Sequence, residues 1–240
     1  MKSRTRFETE IAEFVWNSKY RYRPEKEPAE ADITGSWRRV ADALSETEPD
    51  ARRKEKWKGE FYRILEEFKF LPAGRILAGA GTAHAVTLFN CFVMGRLAPS
   101  ISEVFEGLRE GAVTLQQGGG VGYDFSTLWP SGTIPKGSTH PAKGVVEYLK
   151  LWDAMSAAIH STKRKSGAMM ATLRCDHPDV DKFVKAKQET DLLTNFNLSV
   201  MITDEFMEAL QRDREWHLVF PAEELNPGGD ETGHTVQRQW

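Results

Sequence analysis

Between residues 87 and 220 the chain alternates strand-like and helix-like stretches, and nothing else in it limits the fold as much. Residues 87–94, 121–128, 168–173, 196–202 and 216–220 are short apolar runs of strand length. Helical spacing fills the intervals. One interval carries Ile101, Val104, Phe105, Leu108, Ala112 and Leu115 as its inward face. The next carries Val145, Val146, Leu149, Trp152, Met155 and Ile159, and a third Val180, Phe183 and Val184. Connections long enough to hold a helix join parallel strands, so the pattern predicts an α/β layer with a mostly parallel sheet. Ser100 with Glu103 forms a capping box. Asp176 is read as the cap of the third helix, with Pro178 in its first turn, and Thr203 caps a further helix running through Leu210.

The first 70 residues differ: they are rich in both charge signs and read as helices throughout. Residues 6–20 place Phe7, Ile11, Phe14 and Val15 on one face, and 20–35 form a linker. A short helix then carries Trp37, Val40, Ala41 and Leu44. Residues 50–69 carry Trp57, Phe61, Ile64, Leu65 and Phe68, ended by Pro72. The tryptophans are read as core. Residues 72–82 form a small-residue loop with one lone cation, Arg75. The expected organisation is a helical domain over 1–70, an α/β part over 71–220, and a polar, Gly-rich segment over 221–240 that packs against nothing. A net charge of -3 does not mark a general nucleic-acid binder. No stretch has the length of a membrane span, and no apolar signal core opens the chain. Two cysteines make no disulfide framework, so a cytoplasmic protein is expected.

Three constellations could carry chemistry. Gly118, Gly119, Gly120 and Gly122 cluster between a helix and a strand. A dinucleotide fingerprint needs its glycines after a strand and opening a helix, so that reading is rejected. Two remain: a tight helix-to-strand turn, or backbone lying against a nucleotide's sugar or phosphate. Cys91 is either a small buried packing residue or a redox thiol, and a two-electron reduction needs a partner, for which Cys175 is the one candidate present. Cys175, Asp176 and His177 are metal-ligating residue types, but consecutive residues rarely converge on one ion, so no metal is expected. Lys163, Arg164 and Lys165, followed by Ser166 and Gly167, are either a solvated charge run or a loop closing over an anion. Asp124 and the 129–136 turn would then be the opposing wall.

Five ordered blocks resemble the adenosylcobalamin-dependent (class II) ribonucleotide reductases. They are Phe70-Leu-Pro-Ala-Gly-Arg-Ile-Leu-Ala-Gly-Ala-Gly-Thr82, Phe89-Asn-Cys-Phe-Val93, Gln116-Gln-Gly-Gly-Gly-Val-Gly-Tyr-Asp-Phe-Ser126, Gly167-Ala-Met-Met-Ala-Thr-Leu-Arg-Cys-Asp-His-Pro-Asp179 and Asn195-Phe-Asn-Leu-Ser-Val200. The resemblance implies a helical layer followed by the first half of a ten-stranded α/β barrel. It implies reduction of ribonucleotides by a thiyl radical raised from adenosylcobalamin. Cys91 would be one member of the reducing cysteine pair, with Asn90, Gly120 and the Ala73-Gly74-Arg75 segment contacting substrate. Ser100, Ile101, the 126–136 turn with Trp129 and Lys136, and the loop with Lys163, Arg164 and Lys165 would bind a deoxynucleoside triphosphate or ATP effector.

The family's radical cysteine, its glutamate and asparagine partners and the second reducing cysteine are expected on a second polypeptide that completes the barrel. A dimer of the assembled enzyme and a thioredoxin-like reductant are also implied. Two departures stand out: Trp129-Pro-Ser occupies the place of Arg-Pro-Arg, and Thr162-Lys-Arg-Lys-Ser166 that of a glycine- and arginine-rich run. The competing expectations are a non-catalytic nucleotide-binding or regulatory remnant, and an artificial truncation with no role of its own.

Overall fold

A computed structural model describes residues 7–26, 28–159, 168–188, 192–221 and 236–238. The chain forms two compact units, Met1–Asn90 and Cys91–Trp240. Residues 71–90, expected with the α/β part, therefore group with the helices.

In the first unit α1 (Glu10–Val15) is capped by Thr9 and continues into a π-helical turn, Trp16–Tyr20. Helix α2 (Ile33–Ser45) begins inside the expected linker, because the Asp32 carboxylate accepts the Thr34 and Gly35 amides. Helix α3 (Ala51–Leu65), capped by Asp50, stops well before Pro72: Glu67 and Phe68 take φ of 60° and 59° and turn the chain. Of its expected apolar stripe only Leu65 is buried, whereas Trp57, Ile64 and Phe68 are exposed. A short helix, α4 (Gly74–Gly79), replaces the expected small-residue loop. Trp16, Ile33, Trp37, Val40, Leu65 and Leu77 form the core. A buried polar network binds it. Glu30 accepts from Arg39 Nε (2.8 Å), the Tyr22 amide (2.9 Å) and Ser36 Oγ (2.5 Å). Arg39 also donates to the carbonyls of Leu77 and Ala80, so one buried ion pair ties α2 to α4.

The second unit holds the expected parallel sheet. Strands β1 (Cys91–Arg96), β2 (Gly120–Asp124), β3 (Met169–Arg174) and β4 (Phe196–Met201) pair in sequence order, all parallel. The crossovers contain α5 (Ile101–Gln116), α6 (Val145–Ile159) and α7 (Val180–Lys185). These helices cover one face, where Tyr123, Phe125, Trp152, Met169, Ala171, Leu173 and Phe196 are buried.

The seating of α5 corrects its expected inward face. Ile101 and Phe105 are exposed, and the buried residues are Val104, Gly107, Gly111 and Leu115. Leu97 fills the space at Gly107 and Tyr123 that at Gly111, where it donates its hydroxyl to the Gly107 carbonyl at 2.7 Å. Burial pushes the Tyr123 phenol up to about 12, so it stays a neutral donor. Asp153 on α6 accepts the Asn195 amide at 3.1 Å and so anchors the start of β4. Strand β1 contains a bulge. Val93 pairs with Gly122 and Gly95 with Tyr123, so Met94 is skipped, at a point where Gly95 takes φ +84°.

After β4, α8 (Asp204–Gln211) is capped by Thr203 as expected. The last strand, β5 (Trp216–Leu218), pairs antiparallel with β6 (Val236–Arg238), so the C-terminal segment is not without partners. No helix among the described residues is long and apolar enough to cross a membrane.

Two glycine substitutions are expected to move stability in opposite directions. A Cβ at Gly59 in α3 meets nothing within 4 Å, so Gly59→Ala should gain up to about 1 kcal/mol from helix propensity. A Cβ at Gly111 would lie 2.5 Å from Tyr123 Oη, so Gly111→Ala should cost ~1–3 kcal/mol. Denaturant unfolding of the two variants checks both signs.

Candidate functional site

The face of the sheet opposite the helices carries Cys91 and Gly120 at one level and a row of paired residues two positions further on. Cys91 pairs with Gly120, Val93 with Gly122, Gly122 with Met170, and Met170 with Asn197. Paired residues point to the same side, so the row lies across one surface. Cys91 and Asn197 are exposed, Val93 is 94% exposed and Met170 42%. The glycine cluster divides its work here. Gly118 makes the turn at φ +85°, and Gly119 is a packing position, since a Cβ there would be 2.7 Å from Phe92. Gly120 and Gly122 point to the open face; Gly120 is buried, and a Cβ at Gly122 would meet nothing closer than 3.8 Å. The helix-to-strand turn expected from the sequence is made at Gly118.

Cys175 cannot partner Cys91 in this fold. The register puts Cys91 level with Ala168, and Cys175 lies past the far end of β3, roughly 20 Å further along the strand direction. A disulfide needs Cα atoms within about 7 Å. Cys175 is also buried, with its amide donating to the Met201 carbonyl.

A cavity of about 690 Å³ gathers Ser100, Ile101, Trp129 and Lys136, four of the residues expected at the effector site. Ser100 caps α5 by accepting the Glu103 amide at 3.2 Å. His140, Lys143 and Tyr148 also line it. The sequence reading missed these three. Lys143 had a usable signal, a second cation beside Lys136 in a Pro- and Gly-rich loop. Lys163, Arg164 and Lys165 lie outside the described residues. Asp124, proposed for the opposing wall, does not line this cavity. It accepts from Arg96 Nε (3.0 Å), the Ser126 amide (3.0 Å) and Ser126 Oγ (2.5 Å). Ala73, Gly74 and Arg75 belong to the first unit, where Ala73 precedes α4 and Gly74 packs against Tyr20. Asn90 is the last residue of that unit and is exposed.

The turn after β3 departs from expectation. Asp176 caps no helix; Arg174 Nε donates to it at 2.8 Å, and this bond holds the guanidinium pKa above its usual value. Asp179 precedes α7, yet its carboxylate accepts the amides of Ser131 (3.0 and 3.2 Å) and Val145 (3.0 Å). It thereby serves the first residue of α6. His177 is buried. Its Nδ1 accepts the Asp179 amide at 3.0 Å, which puts the ring proton on Nε2, 3.0 Å from the Leu128 carbonyl. Both ring nitrogens are thus engaged. Among the described residues no group of three His, Cys, Asp or Glu side chains is placed to hold a metal ion.

Comparison with known proteins accounts for both units. Residues 6–85 match the all-alpha domain of ribonucleotide reductase, and residues 89–239 match its barrel domain. The chain belongs to the ribonucleotide reductase family. It is 37% identical over 187 residues to a vitamin B12-dependent ribonucleoside-diphosphate reductase of Mycobacterium tuberculosis, covering 78% of this chain and 26% of that protein. A relative of the same description from Thermoplasma acidophilum is 35% identical over 162 residues, covering 67% of this chain and 21% of the relative. The ribonucleoside-diphosphate reductase subunit alpha of Chlamydia trachomatis is 25% identical over 189 residues, 77% of this chain and 18% of its own. The chain thus spans about a quarter or less of these ribonucleotide reductases.

Two measurements follow from this geometry. Cys91 should react with a thiol reagent in the native protein, whereas Cys175 should react only on unfolding; mass spectrometry of labelled peptides reads this directly. Burial lowers the pKa of His177 below its ordinary value of 6.5. An unfolded chain takes up this proton below about 6.5 while the folded chain does not. The stability contribution is therefore complete above 6.5 and is lost as pH falls towards the folded-state value. Melting curves between pH 7 and 5 should show a shallower decline for His177→Gln than for the parent chain.

Proposed function

We propose that this chain is the N-terminal part of a vitamin B12-dependent ribonucleotide reductase, which reduces ribonucleotides to 2'-deoxyribonucleotides once a second polypeptide completes the barrel. The observation that carries this reading is the pairing of Cys91 with Gly120 on the sheet face opposite α5, α6 and α7. An exposed thiol there stands beside a position without a side chain, which suits close approach by the sugar of a nucleotide.

Removal of the 2'-hydroxyl as water takes two electrons and two protons, and oxidises two thiols to a disulfide. Cys91 supplies one thiol. The other comes from the completing polypeptide, since Cys175 is out of reach, and a thioredoxin-like protein re-reduces the pair. Adenosylcobalamin, when bound, supplies the radical that starts the reaction. Both nitrogens of the buried His177 are already bonded, so it offers no ligand to the cobalt, and the cofactor site is assigned to the completing polypeptide. Asn90 and the Ala73-Gly74-Arg75 segment are assigned to substrate. Ser100, Ile101, Trp129 and Lys136 bind a deoxynucleoside triphosphate or ATP effector, with Lys136 and Lys143 as cations for its phosphates. Exposed Ile101, Phe105 and Val113 on α5, with Leu151 on α6, suit a dimer interface beside that cavity.

The test mixes this chain with the C-terminal part of a full-length relative, adenosylcobalamin, a ribonucleoside diphosphate and a dithiol protein. Deoxynucleotide should form only when both polypeptides are present. Cys91→Ser should abolish multiple turnover, and Cys175→Ser should leave it in place. Equal loss from both substitutions would refute the assignment of Cys91. Nucleotide binding without turnover in the complete mixture would favour a non-catalytic regulatory remnant instead.

A further inference from the structure

His177 and Asp179 are buried, polar, and unused by the chemistry above. Within their own segment they make only a long ion pair from Asp179 to Lys182 (3.9 Å) and the bond from the Asp179 amide to His177 Nδ1. Asp179 stands just before α7 but makes no side-chain cap there. Its carboxylate reaches to Ser131, on the turn that follows β2, and to Val145, where α6 begins. Gly144 makes room for this reach, because a Cβ there would lie 2.5 Å from Asp179 Oδ2. His177 grips the same turn from the other side, through the Leu128 carbonyl. The two bonds bracket Trp129, the aromatic wall of the cavity that also holds Ser100 and Lys136. Thr127 is tied separately to the Leu97 carbonyl, so the segment from Leu128 to Ser131 has these two side chains as its link to β3 and α7. A buried carboxylate stripped of such donors is costly, so the link is stiff.

We propose that His177 and Asp179 are positioning residues for the nucleotide cavity, clamping the Leu128–Ser131 turn so that Trp129 forms its wall. This rests on the reading of that cavity as the effector site. The clamp also joins the cavity to β3, whose Met170 points to the same open face as Cys91 and Gly120, one row further along. A nucleotide that moved the turn would pull on the strand facing the substrate.

The full chain tests this with two readouts. Amide hydrogen exchange across 128–136 should speed up in Asp179→Ala and His177→Ala, while exchange in β4 stays at the parent rate. The dissociation constant for dTTP should rise about tenfold in each, the weight of one buried hydrogen bond. Asp179→Asn keeps an acceptor and His177→Gln keeps a donor at the ring's Nε2 position. Both milder variants should fold and recover most of the affinity. Leu198→Ala, a core truncation on β4, sets the scale for plain destabilisation and should leave dTTP affinity within about twofold. The proposal is overturned if Leu198→Ala weakens dTTP as much as Asp179→Ala, or if exchange over 128–136 is unchanged in the Ala variants. Failure of the parent chain to bind dTTP would refute the effector reading alone, and the exchange rates would still decide whether the clamp exists.

Discussion

Tyr123 can donate its hydroxyl to the Gly107 carbonyl only because α5 presents hydrogen, not a methyl group, at Gly111. That contact sets the distance between helix and sheet. A larger residue at Gly111 would lift α5, and α5 is the crossover between β1 and β2. The pairing of Cys91 with Gly120 lies at the other end of the same crossover. Trp152 closes the seam, with its ring 5.5 Å from that of Tyr123 and 5.3 Å from that of Phe125. The thiol and the bare backbone beside it are therefore held by a contact on the opposite face of the sheet.

One face packed and one face open is the main physical fact of the second unit. A parallel sheet is normally covered on both faces. Here Val93 and Met170 stand in solvent, and β1 and β4 each pair with a single strand of their sheet. Such a surface has unspent hydrogen-bonding edges and apolar area. Both suit association with further polypeptide, in keeping with relatives roughly three to four times as long as this chain.

What could be read from the sequence was local or periodic. The parallel layer followed from strand–helix alternation, the cap at Ser100 from the glutamate three positions on, and the cap at Thr203 from its residue type. The inward face of α5 was misassigned because hydropathy weights large residues. Ile101 and Phe105 looked buried, whereas two glycines, silent on any hydropathy scale, carry the contact. Helix α4 was hidden for a related reason, since Gly74 and Gly79 are poor helix formers that tertiary packing overrides. In Asp176-His-Pro-Asp179 either aspartate could cap the next helix by local rules, and in fact neither does. The partners of Asp179 lie 34 and 48 positions away, beyond any local pattern. At the candidate site, Ser100, Ile101, Trp129 and Lys136 were all named from the sequence, but their convergence on one cavity required the fold. Glu30 and Arg39 gave no warning either, because a buried ion pair looks like any other two charges in a charge-rich stretch.

The bulge in β1 has a consequence for how this strand tolerates change. Side chains in a strand alternate faces, so the identity of one end normally dictates the parity of the other. The extra residue at Met94 breaks that bookkeeping. Cys91 and Arg96 lie five positions apart, yet both point to the open face, Cys91 beside Gly120 and Arg96 beside Asp124. The two ends of β1 are thereby uncoupled. Removal of Met94 itself would leave a regular strand with Arg96 still beside Asp124 and the thiol where it is, whereas a one-residue deletion between Cys91 and Val93 would carry the thiol into the helices. Deletions should accordingly be accepted at Met94 and rejected between Cys91 and Val93.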